Sequence, residues 1–246
     1  MQKPKKWILI RGLARGKGHW GSFPQKMQKF FPNDQIEMID LPGNGERNQE
    51  QSPLAISEYV ADLRQQSQFV KQNESFHLLG ISLGAMIAVQ WLNDHPQEVE
   101  KAHLICTSSA STSAFYQRYQ LRNYLPTLRL FFAAKDPELY EQTVLAMTTN
   151  DFARRQAELP GLVEYSRKYP ELRGNVVRQL LAASRFQVPK NLPKSVNLLG
   201  SFGDGLVSPH CTLQLGKLWG VEPKMHDAAG HDLPIDDPQW VLEQLL

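Results

Sequence analysis

Apolar residues along the chain fall into two patterns. Six short continuous runs rich in branched and aromatic residues are "WILI" (7–10), "IEMID" (36–40), "FHLLGIS" (76–82), "KAHLICT" (101–107), "SVNLLGSF" (195–202) and "EPKMHDA" (222–228). They alternate with longer segments in which apolar residues recur at helical spacing. Continuous apolar runs mark strands buried on both faces, and helices between them mark parallel crossovers. The pattern predicts an α/β fold, a mostly parallel sheet of six main strands covered by helices on both faces.

The helices are legible in the same way. "ISEYVADLRQQSQFV" (56–70) places Ile56, Tyr59, Val60 and Leu63 on one face, and "GAMIAVQWLNDHP" is nearly all apolar until Pro96 stops it. "DPQWVLEQLL" opens with a proline suited to a first helical turn. From 109 to 193 the strand pattern lapses, and about four helices follow one another, punctuated by prolines and glycines. The expected organisation is a core formed by 1–108 and 194–246, with 109–193 inserted into it as a helical cap.

Composition narrows the class without changing the fold. With 41% hydrophobic and 21% charged residues over 246 positions, the chain has the make-up of a folded globular domain. No run approaches the ~20 apolar residues that span a bilayer. The N-terminal run Trp7–Ile10 ends at Arg11, shorter than the roughly 7–15 residues of a signal-peptide core. The two cysteines, Cys106 and Cys211, have no partner motif for a disulfide framework or a zinc site, and Cys106 is expected to be a buried strand residue. These features lead to the expectation of a cytoplasmic protein with no membrane or metal partner. A formal net charge of +2 argues against a nucleic-acid binder. The charge is uneven, however: between Ser111 and Lys190 twelve Lys and Arg face seven Asp and Glu.

Candidate chemistry centres on Gly80-Ile81-Ser82-Leu83-Gly84, a G-x-S-x-G sequence where a strand meets a helix. A sharp turn there exposes the Ser82 hydroxyl, and the helix N-terminus sets the Leu83 N–H beside a developing oxyanion. A serine hydroxyl needs a base, itself oriented by an acid. On this type of fold they follow in the order Ser, Asp or Glu, His, each on a loop after a later strand. Asp204 is the only acid in "GDGLVSP", and His231 lies in "AGHDLP". Asp227 and Asp232 are too close to His231 in sequence to reach its Nδ1 easily. His77, His103 and His226 fall within strand runs, His95 ends a helix, and His19 and His210 sit in loops outside that order.

On these residues the chain resembles the α/β-hydrolase superfamily, over nearly its full length. The loop "DLPGNGE" (40–46) is similar to the family's D-x-x-G-x-G stretch. The cap lies where that family inserts one. The resemblance implies a second oxyanion donor in the loop after "WILI", where a His-Gly pair is common and the next residue donates. Here the pair reads Arg11-Gly12, so Leu13 is the implied donor, and the arginine departs from the pattern. Family members commonly carry two further strands before this loop, so the sheet is expected to be short at that edge.

The same loop invites a rival reading. "GKGHWG" (16–21) spells the dinucleotide fingerprint G-x-G-x-x-G, with Asp40 ending the next strand as a ribose-binding acid would. Yet five residues separate it from the strand, where a dinucleotide turn follows at once. A phosphate-loop reading fails too, because Gly12 and Gly16 enclose three residues and Gly18 replaces the Ser or Thr. No cofactor is expected.

The resemblance implies a capped serine esterase or thioesterase with Ser82 as nucleophile, His231 as base and Asp204 as acid, acting through an acyl-enzyme. In length, cap and the "DGLV" stretch (204–207) the chain is similar to the pimeloyl-acyl-carrier-protein methyl esterase group, and a basic cap would suit an acidic carrier. Cap aromatics (Phe115, Tyr116, Tyr119, Tyr124, Phe131, Phe132, Tyr140) are candidates to line an acyl pocket or to pack the cap. A carbon–carbon hydrolase or a menaquinone-pathway lyase using the same triad, and a non-catalytic receptor on the same fold, are the alternatives.

Overall fold

The computed structural model describes residues 4–133 and 136–246, without the side chains of residues 131–133. All six apolar runs become strands: β1 (Lys6–Ile10), β2 (Gln35–Met38), β3 (Phe76–Ile81), β4 (Val99–Ile105), β5 (Val196–Ser201) and β6 (Lys224–His226). They form one sheet in the order β2-β1-β3-β4-β5-β6, with every neighbouring pair parallel. β2 forms the edge beside β1, as expected of a sheet short at that side.

Alternation along the strands builds two apolar layers. Trp7, Leu9 and Leu79 join Trp20, Phe23 and Met27 on one face, where α1 (Phe23–Phe30) packs. Ile8, Ile10 and Leu78 face the other way, into α2 (Ile56–Gln66), α3 (Gln68–Lys71) and α4 (Leu83–Asp94). Ile56, Tyr59, Val60 and Leu63 all lie on the buried side of α2, as their spacing predicts. The helix expected over 56–70 breaks at Ser67. Its backbone is extended there, its Oγ accepts from the Val70 N–H, and the same hydroxyl donates to Glu37 at 2.7 Å. The serine thus ends one helix and caps the next.

Between β4 and β5 the regular elements among the described residues are all helical: α5 (Phe115–Arg118), α6 (Tyr124–Ala133), α7 (Pro137–Thr148), α8 (Phe152–Lys168) and α9 (Arg173–Arg185). Asp136 and Asp151 cap α7 and α8 with their carboxylates. After β5 come α10 (Pro209–Trp219), α11 (Leu233–Asp236) and α12 (Pro238–Glu243). The one-turn α11 is too short for apolar periodicity to reveal. No helix among the described residues is long and apolar enough to cross a membrane.

The strand order places the site. The chain runs outward from β1 to β2, then returns to β3 on the other side of β1. The loops leaving β1 and β3 therefore diverge at their carboxyl ends and open a crevice between them.

Candidate active site

Ser82 occupies the turn between β3 and α4 with φ 56° and ψ −115°. A left-handed φ is unfavourable for a residue with a Cβ and persists only where surroundings enforce it, at a cost of about 1–3 kcal/mol. Here the Ser82 N–H donates to the Ile105 carbonyl at 2.9 Å, and the Ser82 carbonyl accepts from Thr107 Oγ1 at 3.0 Å. The flanking glycines serve close approach: a Cβ on Gly80 would lie 2.5 Å from the Gly84 carbonyl oxygen, and one on Gly84 would strike the Ile10 carbonyl. The motif thus brings α4 hard against β1 and β3.

Asp204, in the loop after β5, is fixed by its own neighbours. Its Oδ1 accepts from the Leu206 and Val207 N–H groups at 2.8 and 2.9 Å, which is what the "DGLV" stretch accomplishes. Its Oδ2 faces His231 Nδ1 at 2.8 Å, and both side chains are buried. Cys106 lies beneath this pair, its Sγ within 4.8 Å of both. It is buried as expected, but it sits one residue past the end of β4 with φ 47°. Sulfur, carboxylate and imidazole are zinc-type donors. Burial and the neighbouring Asp204, however, push the thiol pKa well up, and the carboxylate is already taken by His231 and two N–H groups. The trio fits a hydrogen-bonded support better than a metal site.

Ser82 and His231 both line a cavity of about 600 Å³, with Leu13 and Leu83 beside them. No hydrogen bond joins Ser82 Oγ to His231 among the described residues. The N–H groups of Leu13 and Leu83 likewise have no acceptor among the described residues. Gly12 brings the loop onto the serine, since a Cβ there would lie 3.3 Å from Ser82 Cβ.

The arginine that departs from the family pattern has a defined partner. Arg11 Nη1 and Nη2 donate to the two carboxylate oxygens of Asp232 at 3.0 and 2.6 Å, fully buried, with the guanidinium 4.9 Å from the Trp20 ring centre. Burial works against the Asp232 charge, but Arg11 outweighs it and holds the carboxyl below its ordinary pKa. Asp232 is thereby committed away from His231, and Asp227 is exposed.

A second buried pair lies one turn along. Arg15 donates to both oxygens of Glu141 on α7 at 2.8 and 2.7 Å. Ser166 of α8 also donates to Glu141 at 2.5 Å, and its Oγ lies 3.0 Å from His19 Nε2. Burial, reinforced by Arg15, lowers the His19 pKa to about 4, so the ring is neutral. His19 is thus a packed, bonded residue. Glu171, in the cavity wall, has both carboxyl oxygens buried without a partner among the described residues. Burial pushes its pKa up to about 8 against the pull of Arg15. Sequence patterning gave no sign of Glu141, Glu171 or Gln179.

The glycine-rich loop is filled from within. Asp40 accepts from the Lys17 and Glu46 N–H groups at 2.5 and 3.0 Å, and the Gly16 N–H donates to His19 Nδ1 at 2.9 Å. Tyr165 of α8 lies against Gly18 and leaves no room even for a Cβ. The N–H groups a phosphate would need are taken, and Asp40 closes the loop where a ribose would lie.

The other histidines have structural surroundings. His77 and His103 pack against Trp7, with ring centres 4.7 and 5.1 Å away. His226 Nδ1 accepts from the Ala228 and Ala229 N–H groups and shapes the loop leading to His231. Of the aromatic residues of 109–193, Phe115, Tyr119, Tyr124 and Tyr140 line the cavity, although Phe115 and Tyr124 are themselves largely exposed, and Tyr116 is exposed without lining it. The side chains of Phe131 and Phe132 lie outside the described residues.

Comparison with known proteins bears on the family and the fold. Over 234 residues the chain is 22% identical to the monoacylglycerol lipase ABHD6 of Rattus norvegicus, covering 92% of this chain and 64% of that protein. The human counterpart matches to the same extent, so the chain spans a little under two thirds of the length of these relatives. A bifunctional biotin biosynthesis protein, BioHC of Teredinibacter turnerae, is 28% identical over 102 residues, which is 41% of this chain and 17% of that protein. That partial match leaves the carrier-esterase resemblance as an expectation. Among solved structures, the esterase RhEst1 of Rhodococcus sp. ECU1013 superposes with a TM-score of 0.73 at 18% identity, covering 98% of this chain and 89% of that one. The 2-hydroxy-6-oxo-6-phenylhexa-2,4-dienoate hydrolase of Rhodococcus sp. strain RHA1 gives a TM-score of 0.71 at 17% identity, covering 98% and 90%. The alpha/beta hydrolase family matches residues 7–244. A six-stranded parallel sheet, and a family match running almost from end to end, lead to one conclusion: the chain belongs to the alpha/beta hydrolase family.

Proposed function

We propose that the protein is a serine hydrolase that cleaves carboxylic esters through Ser82, His231 and Asp204. The observation that carries this reading is the 2.8 Å contact of Asp204 with His231 Nδ1, on the wall of the same cavity that Ser82 enters from a left-handed turn. In the proposed cycle His231 Nε2 takes the proton as Ser82 Oγ attacks the ester carbonyl. Asp204 holds the Nδ1–H tautomer and stabilises the imidazolium. The free N–H groups of Leu13 and Leu83 receive the oxyanion, where a single donor is typically worth about 10²–10³ in kcat. His231 then protonates the leaving alcohol, and water, deprotonated by the same imidazole, hydrolyses the acyl-enzyme. Ser82 and His231 come into hydrogen-bonding contact as substrate fills the cavity, as catalytic pairs commonly do.

The helical segment 109–193 acts in this reading as the cap over an acyl site. The mostly apolar lining, including Leu130, Val144, Val176 and Leu180, suits an aliphatic or aromatic acyl group. A fluorophosphonate probe is expected to label wild-type protein but not Ser82→Ala, and an ester panel of graded chain length to show turnover that Ser82→Ala abolishes. Turnover retained by Ser82→Ala would sink the reading. Labelling without turnover of any ester would favour a carbon–carbon bond substrate, and no labelling at all a receptor.

A carrier-bound substrate is the second reading, favoured by the excess of twelve basic over seven acidic residues between Ser111 and Lys190. It requires activity on acyl-carrier esters that falls with added salt, while activity on free esters does not.

A further inference from the structure

The loop that carries the Leu13 N–H is held on one side by the core and on the other by the helical insertion. Ala14, the next residue, has φ 55°, a conformation an alanine does not keep unaided. Its N–H donates to Gln179 Oε1 on α9 at 2.7 Å. Gln179 is completely buried, and its amide nitrogen donates in turn to Asn44 Oδ1 at 2.5 Å and Ser52 Oγ at 3.1 Å. Asn44 Nδ2 returns to the same loop, donating to the Arg15 carbonyl at 3.1 Å. On the other side, Arg15 is clamped to Glu141 of α7. The amide oxygen of one glutamine and both oxygens of one glutamate thus bond a five-residue loop, Arg11 to Arg15, and the glutamine nitrogen is anchored on Asn44 and Ser52.

We infer that Gln179 is a positioning residue for the oxyanion hole, with Glu141 as its counterpart across the loop. Gln179 touches no reacting atom. It acts by holding the Leu13–Ala14 peptide, and through the Leu13 backbone it restrains the adjoining Gly12–Leu13 peptide, which carries the Leu13 N–H beside Ser82. Val176, Val177, Leu180 and Leu181, on the same helix, line the cavity, so one element shapes the acyl site and aims the oxyanion donor. Without the Ala14 bond, the loop relaxes toward negative φ and the donor swings away. This inference rests on the serine-hydrolase reading.

The test compares Gln179→Met, which keeps the length but has no acceptor oxygen, with Gln179→Glu, which keeps an acceptor for the Ala14 N–H. Each is measured for kcat and KM on an ester the wild type cleaves, and for inhibition by a trifluoromethyl ketone, whose adduct with Ser82 carries an oxyanion. A donor displaced by a fraction of an ångström predicts that Gln179→Met loses about 10- to 100-fold in kcat and a similar factor in inhibitor affinity, with KM within about threefold. Gln179→Glu is expected to recover at least about fivefold of that loss. A purely structural glutamine would lower the melting temperature without this matched loss. Wild-type kcat in Gln179→Met, or a kcat loss unmatched by inhibitor affinity, overturns the inference. So does a Gln179→Glu variant no better than Gln179→Met. If circular dichroism shows Gln179→Met unfolded, Gln179→Asn, which withdraws the amide by one carbon, is read the same way. Wild-type protein that neither labels nor turns over esters refutes the hydrolase reading and the brace together. Active wild type with an unaffected Gln179→Met refutes the brace alone.

Discussion

Arg11 and Asp232 face each other as a two-point ion pair, 3.0 and 2.6 Å between nitrogens and oxygens, buried between the loop after β1 and the residue following His231. The pair links the proposed oxyanion loop to the proposed base, and it takes the place of the histidine common at this point in the family.

Replacing Arg11 with Met leaves the Asp232 carboxylate buried and unpaired, so the variant is expected to lose about 3–5 kcal/mol of stability in urea denaturation. The double variant Arg11→Met/Asp232→Leu should recover most of that, because removing both charges removes the orphan. A single variant as stable as wild type would show the pair to be solvated.

Asp204→Asn should lower kcat on the order of 10³–10⁴-fold with the fold intact. The Leu206 and Val207 N–H groups bind Oδ1 and would hold the amide oxygen there. The amide nitrogen then faces His231 and selects the wrong tautomer. Steady-state kinetics beside circular dichroism checks this.

Two buried groups give opposite slopes of stability with pH. Glu171, raised by burial to about 8, stays protonated in the folded chain between the ordinary glutamate value and 8, while the unfolded chain is ionised. Stability therefore falls as pH rises through that window, and Glu171→Gln should abolish this component and raise the melting temperature at pH 9. His19, lowered by burial and Arg15 to about 4, stays neutral when folded, so its contribution is lost as pH falls from the ordinary histidine value toward 4. Melting curves of wild type and Glu171→Gln across pH 5–9 that run parallel would contradict the Glu171 assignment.

Cys106 and Cys211 are both buried, and burial raises both thiols. Neither should react with a disulfide reagent such as dithionitrobenzoate until the chain is denatured, when both should. Rapid native labelling at Cys106 would mean that the acid loop opens.

The four inner strands could be read from the sequence because they are buried on both faces and announce themselves as apolar runs, whereas the edge strands β2 and β6 are only partly buried and carry a weaker signal. Ser82, Asp204 and His231 were legible because the proposed chemistry ties each to the end of a strand in a fixed order. The 2.8 Å contact between Asp204 and His231 was not. What stayed hidden is long-range polar pairing. Arg11 and Asp232 lie 221 positions apart, and Ala14 and Gln179 lie 165 apart. No periodicity links such residues, because a single buried hydrogen bond has no repeat. The glycine loop is the complementary case: its spelling matches a dinucleotide fingerprint, while Asp40 and Tyr165, which fill it, come from elsewhere in the chain.

The helices between β4 and β5 grip the core at several further points. Gln120 donates to the Asp204 carbonyl at 2.9 Å, Asn123 to the Gly205 carbonyl at 2.8 Å, and the Thr148 carbonyl accepts from Asp232 at 2.7 Å. An insertion tied in this way is not an exchangeable part. On the proposed reading, a chimaera carrying the corresponding helices of a relative would exchange the cavity wall together with the contacts that hold the proposed oxyanion loop. On that reading, specificity is expected to respond to point substitutions on the cavity side of α9 with the loop left intact, whereas wholesale replacement of the segment would disturb both at once.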